Sequence, residues 1–249
     1  IMAGDKIVTI NGEDAFGKKV NNDYVAKHLR GEKGTKVTLG IKRGKSDELI
    51  DYEVIRDKIP LNSIEAAFML DKNVGYIKLD RFAQTSNTEF EESLTKLKAQ
   101  KMKSLILDLR GNTGGYLNVA AELGNQFLKK DMTIVYTEGD KSPKQIFNTD
   151  KNGKFTDGKL IILIDEGSAS ASEIVSGAVQ DWDRGILIGR RSFGKGLVQR
   201  PFNLPDGSQV RLTTARYYTP TGRCIQRSYE KGSEDYYNEM TKRMKHGEF

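Results

Sequence analysis

The sequence predicts an α/β protein, and three observations carry that prediction. From about residue 59, apolar runs of strand length alternate with amphipathic stretches of helical period. Two of those runs end in glycine and small residues just ahead of a helix, at Gly111–Gly115 and Gly167–Ala171. Residues 1–58, by contrast, read as short strands around one helix, a small module of separate character.

Taken in order, Ile7–Ile10 is a short strand closed by an Asn11-Gly12 turn. Tyr24, Val25, His28 and Leu29 recur at helical spacing, and Gly31 is the expected stop. Lys36–Lys42 and Leu49–Arg56 are strands joined by the polar turn Arg43–Asp47. In the larger part, Val74–Leu79 is a strand. Ser86-Asn87-Thr88-Glu89 has capping-box spacing, and Phe90, Leu94 and Leu97 form the apolar face of the helix after it. Leu105–Leu109 is a buried strand; a glycine-rich turn leads to a helix with Val119, Leu123 and Phe127 on one face. Met132–Tyr136 is a further strand, and Gly139–Gly158 reads as a polar excursion. Leu160–Ile164 is the most apolar strand, and Ile174, Val175, Ala178 and Val179 mark the helix that follows. Strands at Gly185–Gly189, Gly196–Gln199 and Val210–Ala215 complete the unit, and Tyr236–Met244 has the pattern of an amphipathic helix.

Composition narrows the classes of function. The net charge is +6, but acidic residues interleave with the basic ones, as in Lys141–Lys159, and no Arg-rich helix or aromatic stacking motif accompanies them. The charge reads as solvated surface, and no nucleic-acid partner is expected. The single cysteine, Cys224, excludes a disulfide within the chain and a multi-cysteine zinc site. The longest purely apolar run is far short of a membrane span. No charged and then apolar leader precedes the fold; the chain opens at Ile1-Met2-Ala3 inside what reads as a domain, so targeting information is expected upstream.

The two histidines are His28, on the helix of the small module, and His246, in a polar tail. Neither lies beside a serine on a strand–helix turn, so a Ser-His-Asp triad or a Cys-His pair has no base. Asp165–Ile174 runs from a buried strand through small residues into a helix. A turn of that kind can expose one serine at a helix N-terminus, where free N–H groups suit a developing oxyanion; the same residues also suit an ordinary N-cap. Gly189–Gly196 matches the first seven positions of a phosphate-binding loop, but Gly196 stands where Ser or Thr is needed and an extended segment follows. Asp108-Leu109-Arg110-Gly111 is an equally poor nucleotide signal. Lys195, between glycines, can be a surface lysine in a hairpin or a lysine pressed into a tight site. To serve as a base near neutral pH it must fall by roughly 3 pH units from its free value, a penalty of about 4 kcal/mol on the ammonium form. Burial against Phe193 and Leu197 would supply it.

Together these fragments resemble the C-terminal processing (tail-specific) peptidases. Gly167–Glu173 is similar to their nucleophile motif. Phe193-Gly194-Lys195-Gly196, with its lysine twenty-five positions beyond Ser170, resembles their general-base motif, and Gln199 follows at the spacing of their lysine-orienting glutamine. Leu107–Asn112 with Gly114-Gly115 resembles the oxyanion turn, and Tyr217–Arg223 a late strand-turn segment. In the first module, Ala3–Ile7 before Ile10-Asn11-Gly12, and Leu29-Arg30-Gly31 before Gly34–Val37, resemble the later two-thirds of a PDZ domain. Thr113 stands where the family has Pro, and Cys224 where it often has Ser.

The resemblance implies a crotonase-like β-α-β catalytic core at 59–230, a small PDZ domain lacking its start at 1–58, and a C-terminal helical segment at 231–249. It implies Ser170 as nucleophile, Lys195 as general base and Gln199 as its orienting partner. The backbone N–H groups of Ala171 and Gly115, with Gly114 as a further candidate, would form the oxyanion hole. The implied activity is endoproteolysis of proteins or peptides with apolar C-terminal tails, with no cofactor and no metal, in the periplasm or another extracytoplasmic site, membrane-associated through a segment outside this sequence. A homo-oligomer through Tyr236–Met244 is left open. The competing readings are an inactive peptide-binding scaffold on this fold and, more weakly, a nucleotide-binding α/β protein.

Overall fold

The computed structural model describes residues 1–17, 20–46, 48–58, 62–230 and 232–248. The chain divides into two compact units, residues 1–61 and 62–249.

The first unit contains β1 (Lys6–Ile10), β2 (Glu13–Asp14), α1 (Asn22–Leu29), β3 (Lys36–Lys42) and β4 (Leu49–Ile55). The strands form one antiparallel sheet in the order β2-β1-β3-β4. Asn11 and Gly12 take positive φ, 51° and 82°, the conformation an Asn-Gly hairpin supplies at low cost. Ile10, Ala15, Val37, Leu39 and Ile41 form a small core, against which Tyr24 and Leu29 of α1 pack. The Asn21 side chain caps α1 by accepting the Tyr24 N–H at 2.8 Å. Of the turn Arg43–Asp47, Asp47 lies outside the described residues.

The second unit is built on a mixed sheet of β5 (Ile64–Met69), β6 (Val74–Leu79), β7 (Ser104–Asp108), β10 (Lys159–Ile164) and β11 (Ile186–Gly189), in the order β11-β10-β7-β6-β5. All its pairings are parallel except β5–β6. Ile77, Leu79, Leu105, Leu107, Leu160 and Ile162 alternate with less buried neighbours, so one face is apolar and needs cover. Helices α2 (Ser86–Ala99), α3 (Leu117–Asn125) and α4 (Ala171–Asp181) join that face in one core through Phe90, Leu94, Val119, Leu123, Ile174 and Val175. A second, antiparallel sheet runs β12-β13-β8-β9, from β8 (Thr133–Gly139), β9 (Ser142–Asn148), β12 (Leu197–Asn203) and β13 (Gln209–Tyr218). Ile134 and Val135 of β8 reach the same core. Helix α5 (Gly232–Lys245) ends the chain.

The structure departs from the sequence reading in five places. Strand β5 was not anticipated, because Glu65-Ala66-Ala67 has little strand propensity. Strand β9 lies inside the stretch read as a polar excursion; as a sheet edge it is held by its ladder to β8 rather than by its own hydrophobicity. Strand β12 runs on through Pro201, which an edge strand tolerates because proline has no N–H to contribute. Strand β9, the opposite edge, carries Pro143. The capping box at Ser86–Glu89 does not form. Glu89 Oε2 instead accepts from Ser63 N–H (2.7 Å), Ser63 Oγ (3.0 Å) and Ile64 N–H (3.0 Å), tying α2 to the start of β5. Finally, α3 stops at Asn125, so Phe127 lies beyond it, yet it is fully buried edge-on against Phe90.

The parallel register sets where chemistry can sit. Leu163 pairs with Asp108, so β7 and β10 end side by side and the turns after them emerge at the same edge of the sheet.

Candidate active site

The two turns are stitched together by hydrogen bonds. Asp165 Oδ1 accepts the N–H groups of Gly111 (2.8 Å) and Gly167 (2.9 Å). Ser168 Oγ donates to Leu109 O at 2.8 Å, and Asn112 O accepts Ala169 N–H at 3.0 Å and Ser172 Oγ at 2.9 Å. The buried Asn112 side chain donates to Leu79 O and accepts the Gly114 N–H, each at 2.9 Å. At the base of the first turn, Asp108 has no exposed side-chain surface. Burial pushes its carboxyl up, but bonds from Arg110 and Tyr76 outweigh burial and hold it below the usual carboxylate range.

Ser170 sits immediately before α4 with φ 56° and ψ −111°. This is the strained strand-to-helix turn that presents a side chain at a helix N-terminus. Gly114 lies directly against it: a methyl group there would stand 2.8 Å from Ser170 Cβ and 2.9 Å from Ala171 N. At Gly115, φ 156°, a methyl would meet Phe82 O at 2.0 Å, so both glycines are required by contact. The Ala171 and Gly115 N–H groups make no hydrogen bond among the described residues. The Gly114 N–H is taken by Asn112, which removes Gly114 from the oxyanion donors named from the sequence.

A residue whose role the sequence reading missed joins this turn to the lysine-bearing loop. Glu173 is 6% exposed, and its carboxylate accepts four bonds: Ser170 N–H (2.8 Å), Ser192 Oγ (2.7 Å), Gly194 N–H (2.7 Å) and Lys195 N–H (2.9 Å). An acidic residue three positions past the turn serine was the available signal. Its distant partners could not be read from spacing. Phe193 N–H adds a bond to Ser168 O at 3.0 Å. On the other side, Gly196 N–H donates to Gln226 Oε1 (2.9 Å) and Arg227 N–H to Gly194 O (3.0 Å). The loop is pinched enough that a methyl on Gly196 would lie 2.3 Å from Gln226 N.

The side chains of the loop are less constrained than its backbone. Lys195 is exposed, not buried between Phe193 and Leu197 as the sequence reading required. It borders a cavity of about 540 Å³ with Phe193, Ala169, Gly167 and Met240 among its walls. Among the described residues, the bonds that link it to the Ser170 turn run from its backbone N–H through Glu173, and none joins its amine to Ser170 or to Gln199. Gln199 is exposed at a register shift in β12. The structure thus ties the Lys195 backbone to Ser170 through Glu173, with no bond among the described residues between the Lys195 and Gln199 side chains. The loop continues into β12, so there is no helix to cradle a phosphate, and the nucleotide reading falls.

A strained serine at a helix N-terminus beside two glycines is a geometry in which an α/β protein can present a reactive side chain. Comparison with known proteins is more specific. Residues 73–233 match the model of Peptidase family S41, and the chain belongs to that family. It is 38% identical over 223 residues to a carboxyl-terminal-processing protease of Picosynechococcus sp., covering 88% of this chain and 53% of that protein. It is 35% identical over 225 residues to the carboxy-terminal processing protease CtpA of Bacillus subtilis, covering 90% and 47%. The chain therefore spans about half the length of the curated relatives it matches. Among solved structures, a photosystem II D1 C-terminal processing protease superposes with TM-score 0.61 at 29% identity, over 91% of this chain and 61% of that one. An S41 protease from Bacteroides fragilis shares the fold with TM-score 0.58 at 18% identity, over 88% and 62%.

Proposed function

We propose that this chain is the working part of a serine endopeptidase that cleaves proteins near their C-terminus. The observation that carries the reading is Ser170, held in a strained turn with the Ala171 N–H open at the helix start and Gly114 packed on its Cβ. In this mechanism Ser170 Oγ attacks the scissile carbonyl while a neutral Lys195 Nζ takes its proton. The Ala171 and Gly115 N–H groups receive the oxyanion, and Lys195 then protonates the leaving amine. Water repeats the sequence on the acyl-enzyme and frees Ser170. Gln199 aims the amine. The lysine reaches the serine by rotating its flexible stem, since its backbone is already tied to the nucleophile turn through Glu173.

The apolar walls of the cavity beside Lys195 support substrates with apolar tails. The antiparallel sheet of the first unit and helix α1 support a PDZ domain that recruits such tails by adding them as a strand. The mixed sheet with helices on one face supports a crotonase-like core. An extracytoplasmic site of action, and self-association through α5, belong to the same reading.

Digestion of casein and of an apolar-tailed peptide by the purified chain tests it. Ser170→Ala should abolish cleavage with folding intact, and Lys195→Arg should be nearly as damaging because guanidinium does not give up its proton. Residual proteolysis by Ser170→Ala would overturn the assignment. The complete set of Ser170, Lys195 and Gln199 favours a latent resting state over a scaffold without activity. If latency holds, an apolar-tailed peptide added in trans raises casein cleavage; an inactive scaffold shows none under either condition.

A further inference from the structure

The loop from Arg190 to Gly196 is held from the nucleophile side by Glu173, but a second set of contacts reaches it from α5. Glu239, on the inner face of that helix, divides its carboxylate between two arginines. Its Oε1 meets Arg191 Nη2 at 3.0 Å, at the entrance to the loop, and its Oε2 meets Arg227 Nη1 at 2.6 Å. Arg227 in turn touches the loop twice: its N–H donates to Gly194 O at 3.0 Å, and its guanidinium lies 5.6 Å from the Phe193 ring centre. The same guanidinium lies 3.9 Å from the Tyr236 ring centre and donates to Tyr236 O at 3.0 Å, both on α5. One turn further along the helix, the buried Arg243 donates to Arg191 O at 3.0 Å. Met240, next to Glu239, is a wall of the cavity that Lys195 borders.

This geometry amounts to a bracket. An arginine stands on each side of the lysine-bearing loop, and one carboxylate on α5 gathers both. Dense packing does not do this work, because a cavity of about 370 Å³ lies behind the loop, lined by Glu173, Phe193, Gly194, Arg227, Glu239 and Arg243. Over that gap the polar contacts are what fix the backbone of Gly194 and Lys195. Each arginine meets Glu239 through a single nitrogen–oxygen contact, so the carboxylate tethers the pair by charge and distance.

We infer that Arg227, clamped to α5 by Glu239, is a positioning residue that sets the backbone of the Lys195 loop. The inference rests on the peptidase reading for its catalytic consequence, but the bracket itself can be measured without catalysis.

The experiment compares the full chain with Arg227→Ala, Glu239→Gln and, as a control, Lys242→Ala. Lys242 pairs with Asp235 on α5 and, among the described residues, makes no bond to the loop. The first readout is hydrogen exchange at the Gly194 and Lys195 amides, both bonded to Glu173. Exchange there should speed up about tenfold or more in Arg227→Ala and Glu239→Gln and match wild type in Lys242→Ala. The second is steady-state cleavage of an apolar-tailed peptide: kcat should fall about tenfold or more with KM within about twofold, because a displaced base costs rate rather than binding. Glu239→Asp should recover part of both. Glu239→Gln preserves side-chain volume, so it keeps the test decisive should Arg227→Ala fail to fold. Wild-type exchange at residues 194 and 195 in Glu239→Gln would overturn the bracket. A fall in kcat without a change in exchange would overturn it equally. Absence of cleavage by wild-type chain with tail peptide present would instead sink the peptidase reading, while the exchange data would still decide the bracket.

Discussion

Ser170 bears a backbone conformation that L-residues avoid, at a cost of order 1–3 kcal/mol. That strain has a direct test. Ser170→Gly should be more stable than Ser170→Ala by about 1 kcal/mol in urea unfolding, although glycine normally loses stability through chain entropy; an equal or lower midpoint would mean the turn relaxes. Asp108 offers a second. Its carboxyl is held below its unfolded range of about 3.9. Its contribution to stability is therefore present above about pH 4 and lost as pH falls through the lower native value. Asp108→Asn should cost about 1–3 kcal/mol at pH 7, by stranding Arg110 and Tyr76, and less at pH 3. Parallel unfolding curves at the two pH values would check it. At this scale the sequence was informative where residues act locally: the small-residue turn and the glycines flanking Lys195 were both legible. It was silent where partners are remote. Nothing in the spacing said that Glu173 would gather Ser192, Gly194 and Lys195, or that Asn112 would occupy the Gly114 amide.

Elements with their own hydrophobic signal were read at close to their observed positions, as with β7, β10 and α4. Those that borrow stability from neighbours were not. Strand β9 exposes most of its residues, and β5 begins where Glu89 of α2 reaches across to take three donors. A capping box is a local bargain, and here a buried strand end outbid it. Glu89→Ala should therefore cost about 1–3 kcal/mol by leaving the wholly buried Ser63 with unpaired donors. The loss should register as faster hydrogen exchange at Ser63 and Ile64. Exchange confined to the first turn of α2 would instead show that Glu89 caps its own helix.

At the level of the molecule, the two units keep separate cores. One is centred on Ile41; the other, far larger, includes Leu107 and draws on β6, β7, β8, β10 and the three helices α2, α3 and α4. Ile41→Ala and Leu107→Ala should each cost about 2–5 kcal/mol, but in different places. Calorimetry should show the first variant melting residues 1–61 earlier with little change elsewhere, and the second lowering the main transition. A single transition shifted equally by both would mean the units unfold as one.

The antiparallel sheet of the larger unit has a proline in each of its two outer strands, Pro201 in β12 and Pro143 in β9. Open flanks of this kind are templates on which unrelated chains can stack into fibrils. A residue with no amide hydrogen interrupts the row that a newcomer would have to match, so neither flank offers an unbroken template. For a molecule proposed to handle loose, greasy polypeptide ends, an interrupted flank limits co-aggregation, and it is achieved with two residues that take no part in the proposed chemistry.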